Sequence, residues 1–257
     1  MDNIRFIFWE GLKVLTLVLL GLLAAKSVAS LGQSEPGMAP KRFSIVKGGL
    51  YCLILTLVVL GAIYAGNDIA AEVYHWTSQA NLEHSQPTRA YDNAVRAVRV
   101  RPGNLRYWRQ VVLAKIGLHQ FESALDDRPA FEFLTKGSLD EEDAYRFILC
   151  DFHLGRYDSV VRAAQQLIDQ NPRYAAPYIL QGLSETALGK YDQAEKAFLA
   201  VLQIYPNHQA AVEGLAHTYF LWGKRSAAMG VLTETARYAF PPEARKRFED
   251  LKAIYAQ

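Results

Sequence analysis

The sequence has little of what most catalytic chemistries need. Two cysteines, Cys52 and Cys150, are present in 257 residues, too few for a disulfide-stapled secreted scaffold or a four-cysteine zinc site. HExxH, P-loop, GxGxxG, GxSxG and CxxC spacings are all missing, so metalloprotease, nucleotide-dependent and nucleophile-elbow chemistries leave no signature. A dominant charge sign is missing too. The 28 Lys+Arg against 26 Asp+Glu leave a formal charge of +2, which excludes a histone-like nucleic-acid binder. Charged residues at 21% and aromatics at 12% exclude a disordered chain. Residues 1–66 hold six basic and three acidic residues, and residues 67–257 hold the other 22 and 23 together with all six His.

Two long apolar runs are present. The first extends over about 6–25, with Val14–Ala25 free of charge and only Glu10 and Lys13 interrupting it. Those two lie three apart and can pair on one helix face. Roughly 20 residues make about 30 Å of helix, the thickness of a bilayer core. Ser27-Val28-Ala29-Ser30 also offers a signal-peptide cleavage site. The retained anchor is preferred, because Asp2 and Glu10 offset Arg5 and Lys13 where a signal peptide needs net positive charge. The second run, Gly48–Gly66, is 19 residues without a charge and has no polar face, so it predicts a transmembrane helix. Cys52 lies inside it as a small apolar filler. The loop 26–47 carries Lys26, Lys41, Arg42 and Lys47 against Glu35, whereas Asn67–Gln86 has no Lys or Arg. The positive-inside rule then places the loop in the cytoplasm and both termini outside. For a bacterium this predicts a multi-pass protein of the inner membrane with a periplasmic carboxy-terminal domain.

The remainder is periodic. Gly155, Gly189 and Gly223 stand 34 apart, as do Tyr157 and Tyr191, and Pro172 and Pro206. Each glycine sits in a turn string: LGRYDSV, LGKYDQA and WGKRSAA. Within the copy 175–208, Tyr178, Gly182, Gly189, Tyr191, Ala194, Phe198 and Pro206 resemble the pattern of the tetratricopeptide repeat (TPR) family. Small Gly182 and Ala194 would let two helices approach, while Tyr178 and Phe198 fill the space around them. Gln181 and Glu185 depart from the family pattern. The apolar runs and the resemblance together imply an all-α fold: two transmembrane helices from the former, then, from the resemblance, a right-handed solenoid of about five helix pairs. The repeats run over about 71–104, 105–140, 141–174, 175–208 and 209–242, with a capping helix at 243–257. The second copy is two residues long, and Asp126-Asp127-Arg128-Pro129 should break its second helix. Ser138 and Glu141 form the spacing of a capping box.

Candidate sites follow from this phase. Gly223-Lys224-Arg225-Ser226 reads as a repeat turn rather than the end of a P-loop. No catalytic residue, cofactor or metal ligand is assigned, and Cys150 reads as core. In the family the first helix of each pair lines a concave groove. By resemblance this face takes Arg106, Arg109 and Leu113, then Tyr145, Leu149, Phe152 and His153, then Ile179 and Leu183, then Glu213, His217 and Phe220. The Lys and Asn of the family's carboxylate clamp are absent. A mostly apolar and aromatic groove suits an amphipathic helix or apolar segment of a partner protein. Arg89, Arg96, Arg99 and Arg101 form a basic cluster, read as a solvated face with internal pairs, an acidic-partner site or an anionic membrane surface. Neither nucleic acid nor a small-molecule substrate is indicated. The expected function is that of a non-catalytic, membrane-anchored scaffold for another envelope protein. The alternative is an accessory subunit of a larger membrane complex of the secretion, polysaccharide-export or electron-transfer type, held mainly by its transmembrane helices. The arrangement is similar to the TPR subunits of cytochrome c maturation and exopolysaccharide secretion systems.

Overall fold

The structure, a computed structural model, describes residues 41–235, 238 and 240–256; the side chains of residues 41–53, 55, 58, 62 and 63 lie outside what is described. The predicted span at 6–25 and the loop as far as residue 40 are likewise outside it. Among the described residues all regular structure is helical, and the chain divides into two compact units that meet at Leu118 and His119.

The first unit is built on α1, Lys41–Glu83, with α2 (Pro87–Val100) and α3 (Leu105–Gly117) packed against its second half. Helix α1 runs without a breaker through the second predicted span and into the first repeat. Among the described residues no helix is long and apolar enough to cross a membrane. Several described side chains of the predicted span, namely Leu57, Val59, Leu60 and Tyr64, are each more than half exposed. Beyond it, Ala71 on α1 and Ala90, Ala94 and Ala97 on α2 have no exposed surface. Small side chains let the two backbones approach, and the Ser78 hydroxyl donates 2.7 Å to the Ala90 carbonyl between them. Pro87 opens α2 at a position where no amide hydrogen is needed. Asn104 caps α3 by accepting from the Arg106 amide at 3.1 Å.

The second unit continues with α4 (Phe121–Leu125), α5 (Arg128–Leu134), α6 (Glu141–His153), α7 (Tyr157–Gln170), α8 (Ala175–Ala187), α9 (Tyr191–Ile204), α10 (Gln209–Leu221), α11 (Arg225–Glu234) and α12 (Pro242–Tyr255). Consecutive helices from α6 to α12 pack together, and the alternate helices α6, α8, α10 and α12 also touch in succession. Each pair therefore meets only its neighbours, the packing of a solenoid. Gly155, Gly189 and Gly223 have φ of 72°, 73° and 78°. A β-carbon is disfavoured in that left-handed conformation, so the 34-residue punctuation has a backbone cause. The break between α4 and α5 falls at Asp126 and Asp127, and Phe131 of α5 packs edge-on against Phe147 of α6, ring centres 5.2 Å apart.

The capping box is corrected. The α6 cap is Asp140, whose carboxylate accepts from the Asp143 amide at 2.8 Å, whereas Ser138 is exposed outside the helix. Both Ser138-x-x-Glu141 and Asp140-x-x-Asp143 fit the spacing. Asp143 is fully buried with Arg146 Nη1 2.6 Å away, and that pair fixes the helix start two residues later.

Candidate functional site

In the second unit the sequence-predicted face divides into two packed groups and a covered end. Tyr145, Leu149 and Phe152 of α6 are half-buried against Ile148, Val160, Leu167 and Leu180. The Tyr145 ring meets Tyr174 at 5.9 Å, and burial, with Glu142 nearby, pushes its phenol pKa up. Tyr174 donates to Glu142 at 3.1 Å. Phe152 stands edge-on to both His153 and Tyr157. His153 is exposed at its edge and stacks flat on Phe121 of α4, centres 4.4 Å apart at 7°. Four rings, from Phe121 to Tyr157, thus form one continuous band. Ile179 and Leu183 of α8 pack instead on the cluster of Ala194, Phe198, Val201, Ala211 and Leu215.

Glu213, His217 and Phe220 require a correction. They were expected on an open groove, and α12 engages all three. Glu213 pairs with Arg247 at 3.0 Å, the Tyr255 hydroxyl lies 3.4 Å from His217 Nδ1, and Phe220 stacks on Tyr255 at 4.4 Å and 15°. A terminal helix stands where the next repeat's first helix would stand, and so leaves Glu213 and Phe220 half-buried while His217 stays exposed beside Tyr255. Arg106, Arg109 and Leu113 belong to the first unit.

The basic cluster is spread along α2, with Arg89, Arg96 and Arg99 exposed and Arg101 half-buried. Arg89 donates to Gln86 at 2.9 Å, and Arg96 lies over the Tyr74 ring at 5.8 Å. Arg101 donates to Asp68 and covers the Tyr64 ring at 3.8 Å. Arg99 is exposed. Arg106 Nη1 lies 3.5 Å from Glu72 Oε1, which also accepts from the Tyr107 hydroxyl at 2.7 Å. Burial, followed by the bond to Glu72, raises the Tyr107 phenol pKa. His75, buried next to this group, has its pKa lowered by burial and by Arg106, against the opposing pull of Glu72. Tyr64, Asp68, Glu72, Arg101 and Tyr107 line a pocket of about 460 Å³. Sequence reasoning missed the acidic half of this site. Asp68 and Glu72 stand 33 and 34 residues before their arginines, a repeat-length interval that could have revealed them.

The Cys150 thiol is fully buried and pushed up to about 12 by burial, then by Asp151. Among the described residues no group of three His, Cys, Asp or Glu could hold a metal ion. The turn Trp222-Gly223-Lys224 uses its lysine on a ring: the ammonium sits 3.1 Å from the centre of the Trp222 indole, an intramolecular cation–π contact rather than a phosphate cradle.

Helix pairs of this length, joined by left-handed glycine turns and stacked pair on pair, define the tetratricopeptide-repeat fold. A tetratricopeptide repeat protein from Parabacteroides merdae superimposes with a TM-score of 0.62 over 84% of this chain and 88% of its own, at 15% identity. MamA from Desulfovibrio magneticus RS-1, residues 41 to end, gives 0.56 over 65% and 94%, at 16% identity. YrrB, a TPR protein with an unusual peptide-binding site, gives 0.50 over 69% and 90%, at 15% identity. No protein-family model and no curated protein matches the sequence.

Proposed function

We propose that this chain is a non-catalytic, membrane-anchored TPR scaffold that holds a segment of another protein on the α6 face of its second unit. The carrying observation is the band Phe121–His153–Phe152–Tyr157 with Tyr145 beside it. Large rings held partly open by their neighbours form the kind of anchor that dominates protein contacts. The peptide-binding site ascribed to YrrB agrees with this use of the fold. An apolar or amphipathic partner segment fits, because the band is built of rings and contains no Lys, Arg, Asp or Glu. Membrane attachment is supported by the uncharged run Gly48–Gly66 and by the exposed apolar side chains along α1.

A photo-crosslinking residue at position 153 of the full chain, in mild detergent, should capture a partner. Tyr145→Ala with Phe152→Ala should reduce that capture at least ten-fold at unchanged helicity. Undiminished capture would move binding to another face. Capture that follows replacement of the apolar run instead would favour an accessory subunit held within the membrane. The charge asymmetry around that run supports a periplasmic carboxy-terminal domain. An alkaline phosphatase fusion after Gln257 should therefore be active, and a fluorescent protein exported by the same route dark. The reverse pattern would place the face in the cytoplasm.

A further inference from the structure

Helix α2 runs antiparallel to α1 and returns its C-terminal end toward the apolar run: Ser78 bonds Ala90 near one end, while Arg101 bonds Asp68 and covers Tyr64 at the other. Asp68 and Glu72, the anchors of Arg101 and Arg106, lie within six residues of Gly66, or about 9 Å along the helix axis. Trp108 donates its indole N–H to the Pro102 carbonyl at 2.8 Å and so pins the Arg101–Asn104 turn. Arg99 is exposed on α2 just before this turn, and Arg106, just after it, is 56% exposed despite its bond to Glu72. Arg89 and Arg96 share a different surface with Thr77, Asn81, Asp92 and Asn93. Thr77 and Asn81 stand 11 and 15 residues beyond Gly66, roughly 17–22 Å along the axis, and Tyr74, the ring under Arg96, stands eight residues or about 12 Å beyond it; all of these exceed the screening length of about 8–10 Å in physiological salt.

We infer that Arg99 and Arg106, the exposed arginines on either side of the Arg101–Asn104 turn, bind the phosphate of acidic phospholipid headgroups at the membrane face next to the end of the second apolar run. The inference rests on the membrane reading above. It splits the arginine cluster in two: Arg99 and Arg106, beside the turn that Trp108 holds, reach the headgroup layer. Arg101 is consumed in holding Asp68, the first charge beyond the run, which would otherwise repel the same phosphates. Arg89 and Arg96 stand too far along the helix to contribute.

The test uses the full chain reconstituted in phosphatidylcholine bilayers carrying a trace of spin-labelled phosphatidylglycerol or spin-labelled phosphatidylcholine. A basic side chain near an anionic surface is worth about a five-fold preference, so the glycerol lipid should be favoured at least five-fold. That preference should fall toward unity in about 1 M salt. Arg99→Gln with Arg106→Gln should abolish it, and Arg89→Gln with Arg96→Gln, an equal change in charge, should keep it. Because Arg106 also bonds Glu72, the single variants Arg99→Gln and Arg99→Lys serve as a second pair: glutamine weakens the preference and lysine restores it. Equal losses in the two double variants, or no preference in the parent chain, would overturn the inference. Alkaline carbonate treatment separates the two readings. A chain that stays in the membrane without lipid preference defeats only this inference, whereas a chain released by carbonate defeats the anchored scaffold as well.

Discussion

Phe198→Ala is expected to destabilise the second unit by about 3–5 kcal/mol, the range for removing a buried aromatic side chain. The ring is fully buried and sits between two glycines of successive first helices. A β-carbon at Gly182 would lie 2.7 Å from its Cζ, and one at Gly214 would lie 2.4 Å from its Cε1. Neither face of the ring has room to yield. Gly182→Leu or Gly214→Leu should therefore cost about 1–3 kcal/mol or more through overpacking, outweighing the roughly 1 kcal/mol gained by removing a helix glycine. Combined with Phe198→Ala, Gly214→Leu should cost clearly less than the sum of the single changes, because the leucine enters the space that the ring vacated. Thermal midpoints of the four proteins by circular dichroism measure this. Additive losses would show that the glycine and the ring are not in contact.

Glu185→Met is expected to stabilise the unit at pH 8 and to flatten its stability profile below neutrality. Glu185 is buried, one of its carboxylate oxygens finds no partner among the described residues, and its pKa is pushed up to about 7. Burial is the main cause; Lys190 pulls the other way and Asp192 adds to the rise. The unfolded carboxyl titrates near 4.5. Between those values the unfolded chain has released a proton that the folded chain still holds, so rising pH favours unfolding. The stability held below about pH 4.5 is lost progressively up to about pH 7 and is level above it, a difference of about 3 kcal/mol. Methionine fills a similar volume without a charge to desolvate. Denaturant midpoints at several pH values, read as the difference between parent and variant, isolate this group from the histidines. A difference that does not change with pH would remove Glu185 as the cause.

The repeat was legible because its punctuation has a local physical origin: a left-handed turn demands glycine wherever the fold recurs, as at Gly155, Gly189 and Gly223. Gly182 could be placed from the repeat phase. Gly214 could not, since one period after Gly182 falls on Ala216 and the shared ring of Phe198 is what links the two glycines. Phase also put Glu213, His217 and Phe220 on a first-helix face, but phase says nothing about what stands opposite, and α12 stands there. The arginine run looked like a patch because its neighbours in sequence are almost free of acids. Its partners Asp68 and Glu72 lie on another helix, where only the packing of α1 against α2 and α3 brings them into reach. The α6 cap was ambiguous between two equally spaced pairs, and the buried Asp143–Arg146 contact resolves it.

The unbroken course of α1 makes it a geared shaft. With no glycine hinge or proline kink between Asn67 and Glu83, the helices clasped to its outer half share its angular setting. One residue added within the apolar run, upstream of Tyr64, would turn that assembly by about 100° and advance it by about 1.5 Å. Seven added residues would return it close to its original bearing about 10 Å farther out. The direction in which the first repeat faces is therefore counted in residues along α1, and an insertion that departs from a whole number of turns changes its heading.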